Sequence, residues 1–123
     1  MIGMVWLSVV EFYDIKTKTT KRKTRPVLVI GGPRNNDYTV LPISTITLRQ
    51  NVDPQYGILV EPMNRAILSL DKECFVRTHK QMQVHQAQLV KSLGDMKRDI
   101  PDLYLDALGR MEEYQKEIIE QAV

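Results

Sequence analysis

The chain opens on an alternating, β-branched and aromatic run. Val5-Trp6-Leu7-Ser8-Val9-Val10-Glu11-Phe12 predicts a first strand. A polar stretch follows to residue 25, too charged for a core and rich in threonine, and it predicts an exposed loop. Pro26-Val27-Leu28-Val29-Ile30 is continuously apolar and stops at Gly31-Gly32-Pro33, which predicts a buried strand. Asn35-Asn36-Asp37 makes a turn, and Tyr38-Thr39-Val40-Leu41 returns as the second arm of a hairpin. Pro42 has no N–H to give a ladder, so regular pairing is expected to stop there.

The second half is less regular. Residues 45–56 are polar and read as a loop. Ile58 to Glu61 predicts a short strand, and Ser69 to Val76 leads into another. Met82 and Val84 alternate with polar neighbours as a strand edge does, and Leu89, Val90 and Leu93 mark a last strand. From Asp99 the period changes. Asp99 is placed to cap a helix, Pro101 stands in its first turn, and Asp102 adds negative charge at the positive end of the dipole. Leu103, Ala107, Met111, Tyr114 and Ile118 recur at helical spacing to about residue 120, and Gly109 weakens this helix without breaking it. The fold class is therefore mainly β or α+β: a small barrel of short strands with a long C-terminal helix, one domain over residues 1–123.

Composition narrows the class little. Of 123 residues, 43% are hydrophobic and 26% charged, ordinary for a folded domain. The single cysteine, Cys74, allows neither an intramolecular disulfide nor a cysteine-based metal site, and its apolar neighbours make it a buried structural thiol. No basic region or small-residue cleavage site flanks the apolar start, and no apolar stretch nears the roughly 20 residues that span a bilayer, so a cytoplasmic protein is expected.

Charge distribution says more than the net +2. Residues 16–25 carry six cations and no acid, at Lys16, Lys18, Lys21, Arg22, Lys23 and Arg25. The helix is acidic, with Glu112, Glu113, Glu117 and Glu120. One part of the chain thus faces a polyanion readily. Counting back from the turn at 31–37, Arg25 and Ser44 stand at the same end of two antiparallel strands, so a guanidinium and a hydroxyl share one cleft. Cleaving RNA without metal needs little more. The ribose 2′-OH is an internal nucleophile, and the protein must orient it, stabilise the phosphorane and see the leaving 5′-oxygen protonated. Arginine binds two phosphate oxygens at once but is a poor general base, so charge stabilisation is its first role. Taken singly, a basic loop is commonly just solvated, and an Arg before a strand or a Ser after one is ordinary punctuation.

Ordered motifs add to this. Thr24-Arg25-Pro26-Val27-Leu28-Val29-Ile30 resembles the Arg-Pro strand signature of the MazF/PemK toxins, and Leu41-Pro42-Ile43-Ser44-Thr45 resembles their following strand-end motif. Gly3-Met4-Val5-Trp6 is similar to their opening strand, and Leu70-Asp71-Lys72-Glu73-Cys74 to the stretch before their late strands. The resemblance runs in order over nearly the whole chain. It implies an SH3-like barrel, a homodimer, a cognate antitoxin protein that blocks the cleft, and sequence-selective cleavage of single-stranded RNA with neither metal nor cofactor. By position it gives Arg25 the catalytic arginine's role and Ser44 or the adjacent Thr45 that of the catalytic hydroxyl. It makes Lys16, Lys18, Lys21, Arg22 and Lys23 a mobile loop over the RNA. Arg77, His79 and Lys80 are further candidate RNA contacts, with His79 attractive as a proton carrier near neutral pH. Related gyrase-poisoning toxins share the architecture but grip a protein target through their C-terminal residues. Here the chain ends Glu120-Gln121-Ala122-Val123, without the aromatic anchor of a hot spot. A member that binds RNA or antitoxin without cutting is the third reading.

Overall fold

The computed structural model describes residues 1–123. Seven strands and one long helix dominate it. The strands are β1 (Met4–Asp14), β2 (Thr19–Arg34), β3 (Asp37–Thr45), β4 (Gly57–Leu59), β5 (Cys74–Arg77), β6 (Met82–His85) and β7 (Leu89–Asp95). The helices are α1 (Pro62–Ile67), α2 (Met96–Asp99) and α3 (Pro101–Ala122), and single 3-10 turns lie at Arg49–Asn51 and Gln86–Gln88.

The strands pair antiparallel in the order β4-β5-β3-β2-β1-β7. On its far edge β3 takes two partners in succession, β6 from Asp37 to Val40 and β5 from Ile43 to Thr45. Dividing one edge between two strands curls the sheet into a half-barrel. The β2–β3 ladder ends at Pro42 as expected, but β3 itself continues to Thr45 by pairing with β5. Pro42 stays opposite Val27 on β2 and falls in the gap between the two partners, where that edge has no continuous ladder for a missing N–H to break.

The curled sheet buries both faces of β2. Val27, Leu28 and Val29 are all fully buried. Leu28 joins Val5, Leu41, Ile43, Val76 and Met96 on the face that α2 and α3 cover, where Leu103, Tyr104 and Ala107 come down from the helix. Val27 and Val29 join Val10, Tyr38, Val40 and Val84 on the other face. Full burial of a side chain such as Leu28 or Ile43 contributes about 1.5–3 kcal/mol. Cys74 belongs to the first cluster, and burial pushes its thiol up from the ordinary value, as a structural role requires.

Four expectations are corrected. The basic stretch is not a loop: apart from the turn at 15–18, it pairs with β1 from Asp14↔Thr19 to Ser8↔Arg25. Alternating threonines and cations suit a solvated strand whose neighbour supplies the hydrogen bonds. Asp99 does not cap α3; Ile100 holds that position, and the Asp99 carboxylate accepts from Arg98 at 2.9 and 3.0 Å. The capping aspartate is Asp95, which accepts from the Arg98 backbone N–H at 3.0 Å at the start of α2. Gly31-Gly32-Pro33 does not stop β2, which runs on to Arg34 and turns at Asn35-Asn36. The short helix α1, opened by Pro62, occupies a stretch for which no element was expected.

Gly32 earns its place at the β2–β3 turn. Its φ is +102°, and a Cβ there would sit 2.7 Å from the Asp37 carbonyl oxygen. No helix is long and apolar enough to cross a membrane.

Candidate nucleic-acid interface and active site

The β2–β3 ladder ends at Val27↔Pro42. Beyond it β3 turns to β5, with Ser44 opposite Phe75, while β2 stays with β1, with Arg25 opposite Ser8. The two strands separate here, and Arg25 reaches across the gap. Its Nη1 donates to the Ser44 hydroxyl at 3.2 Å, the one side-chain hydrogen bond that Arg25 makes. The Arg25 Nε is buried without a partner, so this guanidinium keeps donor capacity for a ligand.

Arg77 stands beside it, at the end of β5. Burial and the neighbouring Arg25 both push the Arg77 pKa down from its ordinary range. Its Nε is also buried and unpartnered, and its guanidinium carbon lies 5.9 Å from the Phe75 ring centre. No carboxylate pairs with Arg25, Arg77, Lys23 or Lys80, although six other cations on the chain form ion pairs. Uncompensated, half-buried positive charge attracts an anion, and adjacent guanidinium forks fit phosphate oxygens.

Two cavities flank this pair. One, of about 280 Å³, is lined by Lys23, Arg25, Ser44, Thr45, Phe75 and Arg77 among others. The second, of about 370 Å³, holds Phe12, Arg25, Arg77, His79, Lys80 and Gln81. Arg25 and Arg77 belong to both and form the ridge between them.

Seven of the eleven residues expected at the site line these two cavities. Arg25, Ser44, Thr45, Lys23 and Arg77 meet at the first cavity; His79 and Lys80 join Arg25 and Arg77 at the second. Ser44 rather than Thr45 meets the guanidinium. Thr45 lies one residue on, on the strand face of Leu41 and Ile43, and is exposed at the cavity rim. Four loop cations stand elsewhere. Lys16 and Lys18 occupy the hairpin turn, beyond Thr19, which is roughly 20 Å along the strand from Arg25 at ~3.4 Å per residue. Lys21 and Arg22 are paired with Asp14 (3.0 Å) and Glu11 (3.5 Å) on β1.

His79 sits in a frame the sequence did not reveal. Its ring centre is 6.3 Å from that of Tyr56 and 5.8 Å from that of Tyr114, and the two tyrosines meet edge to face at 5.1 Å. The Tyr56 hydroxyl donates to Glu117 on α3 at 2.6 Å, which raises the phenol to about 12. The fully buried Thr78 fixes the backbone beside His79 by donating its hydroxyl to the Tyr56 carbonyl at 2.6 Å. Burial lowers the His79 pKa; Asp53 opposes this, and Arg77 and Lys80 reinforce it. Tyr56, Tyr114 and Glu117 carry no local signal, because contacts across such separations depend on where α3 lands. The other histidine, His85, caps the 3-10 turn at Gln86–Gln88: its Nδ1 accepts from the Ala87 N–H at 3.0 Å. Trp6 packs against the second core cluster and lines a different cavity from the two arginines.

Neither a protein-family model nor a curated protein sequence matches this chain. The site offers two converging guanidiniums, a hydroxyl bonded to one of them, a lysine at the rim and an imidazole one cavity away. No three His, Cys, Asp or Glu side chains gather into a metal-ligand cluster. The arrangement can grip a phosphodiester and stabilise added charge on it.

Proposed function

We propose that this chain is an endoribonuclease that cleaves single-stranded RNA by attack of the ribose 2′-OH, a toxin of the MazF/PemK kind. The observation that carries this reading is the unpaired Arg25–Arg77 ridge with Ser44 bonded to Arg25. Arg25 and Arg77 hold the scissile phosphate, and their charge stabilises the phosphorane. Ser44 orients Arg25 and can donate to a non-bridging oxygen. The step needs no metal in this scheme, because the nucleophile belongs to the substrate and cationic side chains meet the developing charge. Lys23 and Lys80, unpaired at the cavity rims, extend the grip to neighbouring phosphates. The ordered resemblance of the Arg25–Pro26 and Pro42–Ser44 motifs supports the same assignment. With it come a homodimer, an antitoxin partner that covers the cleft, and action in the cytoplasm on messenger RNA.

The test is incubation of the purified protein with a long single-stranded RNA in EDTA, beside Arg25→Ala. Discrete fragments from the wild type alone, ending in a cyclic phosphate and a 5′-hydroxyl, are expected. Salt-dependent RNA binding without fragments would instead make the chain a non-cutting RNA binder. Stalling of gyrase on DNA with intact RNA would move it to the protein-gripping class.

A further inference from the structure

Resting on that reading, we infer that His79 is the general base of the cleavage: its imidazole takes the proton of the attacking 2′-OH from the second cavity, across the arginine ridge from Ser44. In-line displacement puts the attacking and leaving oxygens on opposite sides of phosphorus. A phosphate seated on the Arg25–Arg77 ridge has one cavity on each side. The first contains hydroxyls and cations but no group that accepts a proton near neutral pH. The second contains His79 and one carboxylate, Glu11. Glu11 is committed to Arg22 at 3.5 Å on the outer strand pair, which leaves His79 as the free acceptor.

The imidazole is built in rather than left on the surface. Tyr56 and Tyr114 hold its ring, Glu117 anchors Tyr56 from α3, and Thr78 pins the adjacent backbone. Its Nδ1 is buried with no partner, so Nε2 is the nitrogen that exchanges a proton with the cleft. The groups around it are Asp53 on the preceding loop, Arg77 and Lys80 on its own segment, Arg25 and Glu11 across the cavity, and Tyr114 and Glu117 on α3. Burial acts most strongly against protonation of the ring; Asp53 opposes it, and Arg77 and Lys80 reinforce it. The ring is therefore neutral at pH 7 and ready to accept.

The step balances simply. The 2′-O–H bond breaks and its proton passes to Nε2. The 2′-oxygen bonds to phosphorus, the bond to the 5′-oxygen breaks, and the 5′-oxygen takes a proton from solvent water in the first cavity. Release of the proton from His79 to solvent resets the base.

The experiment is single-turnover cleavage of single-stranded RNA from about pH 5 to about pH 9 by wild type, His79→Gln and His79→Ala, with RNA binding measured in parallel. Wild-type cleavage should rise with pH through a midpoint below 6.5, the ordinary imidazole value, and then level off. His79→Gln should cut about 10²–10⁴-fold more slowly, lose that rise and bind RNA as the wild type does. Added imidazole should restore part of the rate to His79→Ala. An unchanged pH profile in His79→Gln, or a slowed His79→Ala that imidazole does not rescue, would overturn the inference while leaving the ribonuclease reading in place. A wild type that cuts no RNA would overturn both.

Discussion

The Arg25 guanidinium donates to the Ser44 hydroxyl at 3.2 Å across two strands that have just ceased to pair. Up to Val27 and Pro42 the backbones of β2 and β3 bond each other; past that point the side chains alone bridge the gap. A cleft thus opens where one strand changes partners, and the residues that line it arrive already aligned by the ladder below.

This alignment makes Arg25 a test of geometry as well as charge. Arg25→Lys keeps the charge but loses the planar fork and the donor that reaches Ser44. Cleavage is expected to fall about 10²–10³-fold, as on removal of one donor to a developing anion. Single-turnover rates on one defined RNA measure it, and a near-wild-type rate would exclude the bidentate role.

The two neighbouring hydroxyls should separate cleanly. Ser44 meets Arg25, whereas Thr45 is exposed on the alternate strand face. Ser44→Ala is expected to lower cleavage about 10²-fold and Thr45→Ala less than about 10-fold. The reverse order in the same assay would transfer the hydroxyl's role to Thr45.

Arg77 is half-buried and free of any carboxylate, so it should bind phosphate directly. Arg77→Gln is expected to weaken RNA binding and to make the slope of log affinity against log salt shallower by about one phosphate contact. Lys116→Gln is the control, since Lys116 pairs with Glu112 on the outer helix. Equal slopes for the wild type and Arg77→Gln would remove Arg77 from the interface.

The Tyr56–Glu117 bond predicts a signature in alkali. The Glu117 carboxylate raises the phenol from its ordinary value of about 10 to about 12. Because the folded state holds the proton more tightly than the unfolded one, the stabilisation is complete below about pH 10 and is lost as pH rises to about 12. Denaturant midpoints of the wild type should fall over that window relative to Tyr56→Phe. Parallel curves for the two proteins would mean that the bond to Glu117 does not form in solution.

Much of this architecture is legible in single residues. The apolar run at 26–30, the Asn35-Asn36 turn and the period change near residue 100 mark the core of β2, the hairpin and α3, because period and turn residues are local properties of the chain. That Arg25 and Ser44 stand at the same end of the hairpin is legible too, although two register shifts between the turn and Val27 put their exact register beyond counting. The basic stretch misleads for a physical reason: a solvated strand and a solvated loop share a composition, and only the partner strand β1 distinguishes them.

The sequence by itself therefore determined the apolar parts of the strands, the long helix, an arginine and a serine at one end of a hairpin, and a cationic segment, all of which follow from spacing along one chain. Only the tertiary structure decided which cations stand unpaired beside Arg25. It neutralised Lys21 and Arg22 against β1, left Lys16 and Lys18 at a distant turn, and set Arg77 beside Arg25. It also enclosed His79 between tyrosines from residues 56 and 114 and anchored one of them to α3. Charge compensation, burial and the framing of a side chain depend on neighbours far away in sequence, and those neighbours are fixed only when the sheet curls and the helix packs against it.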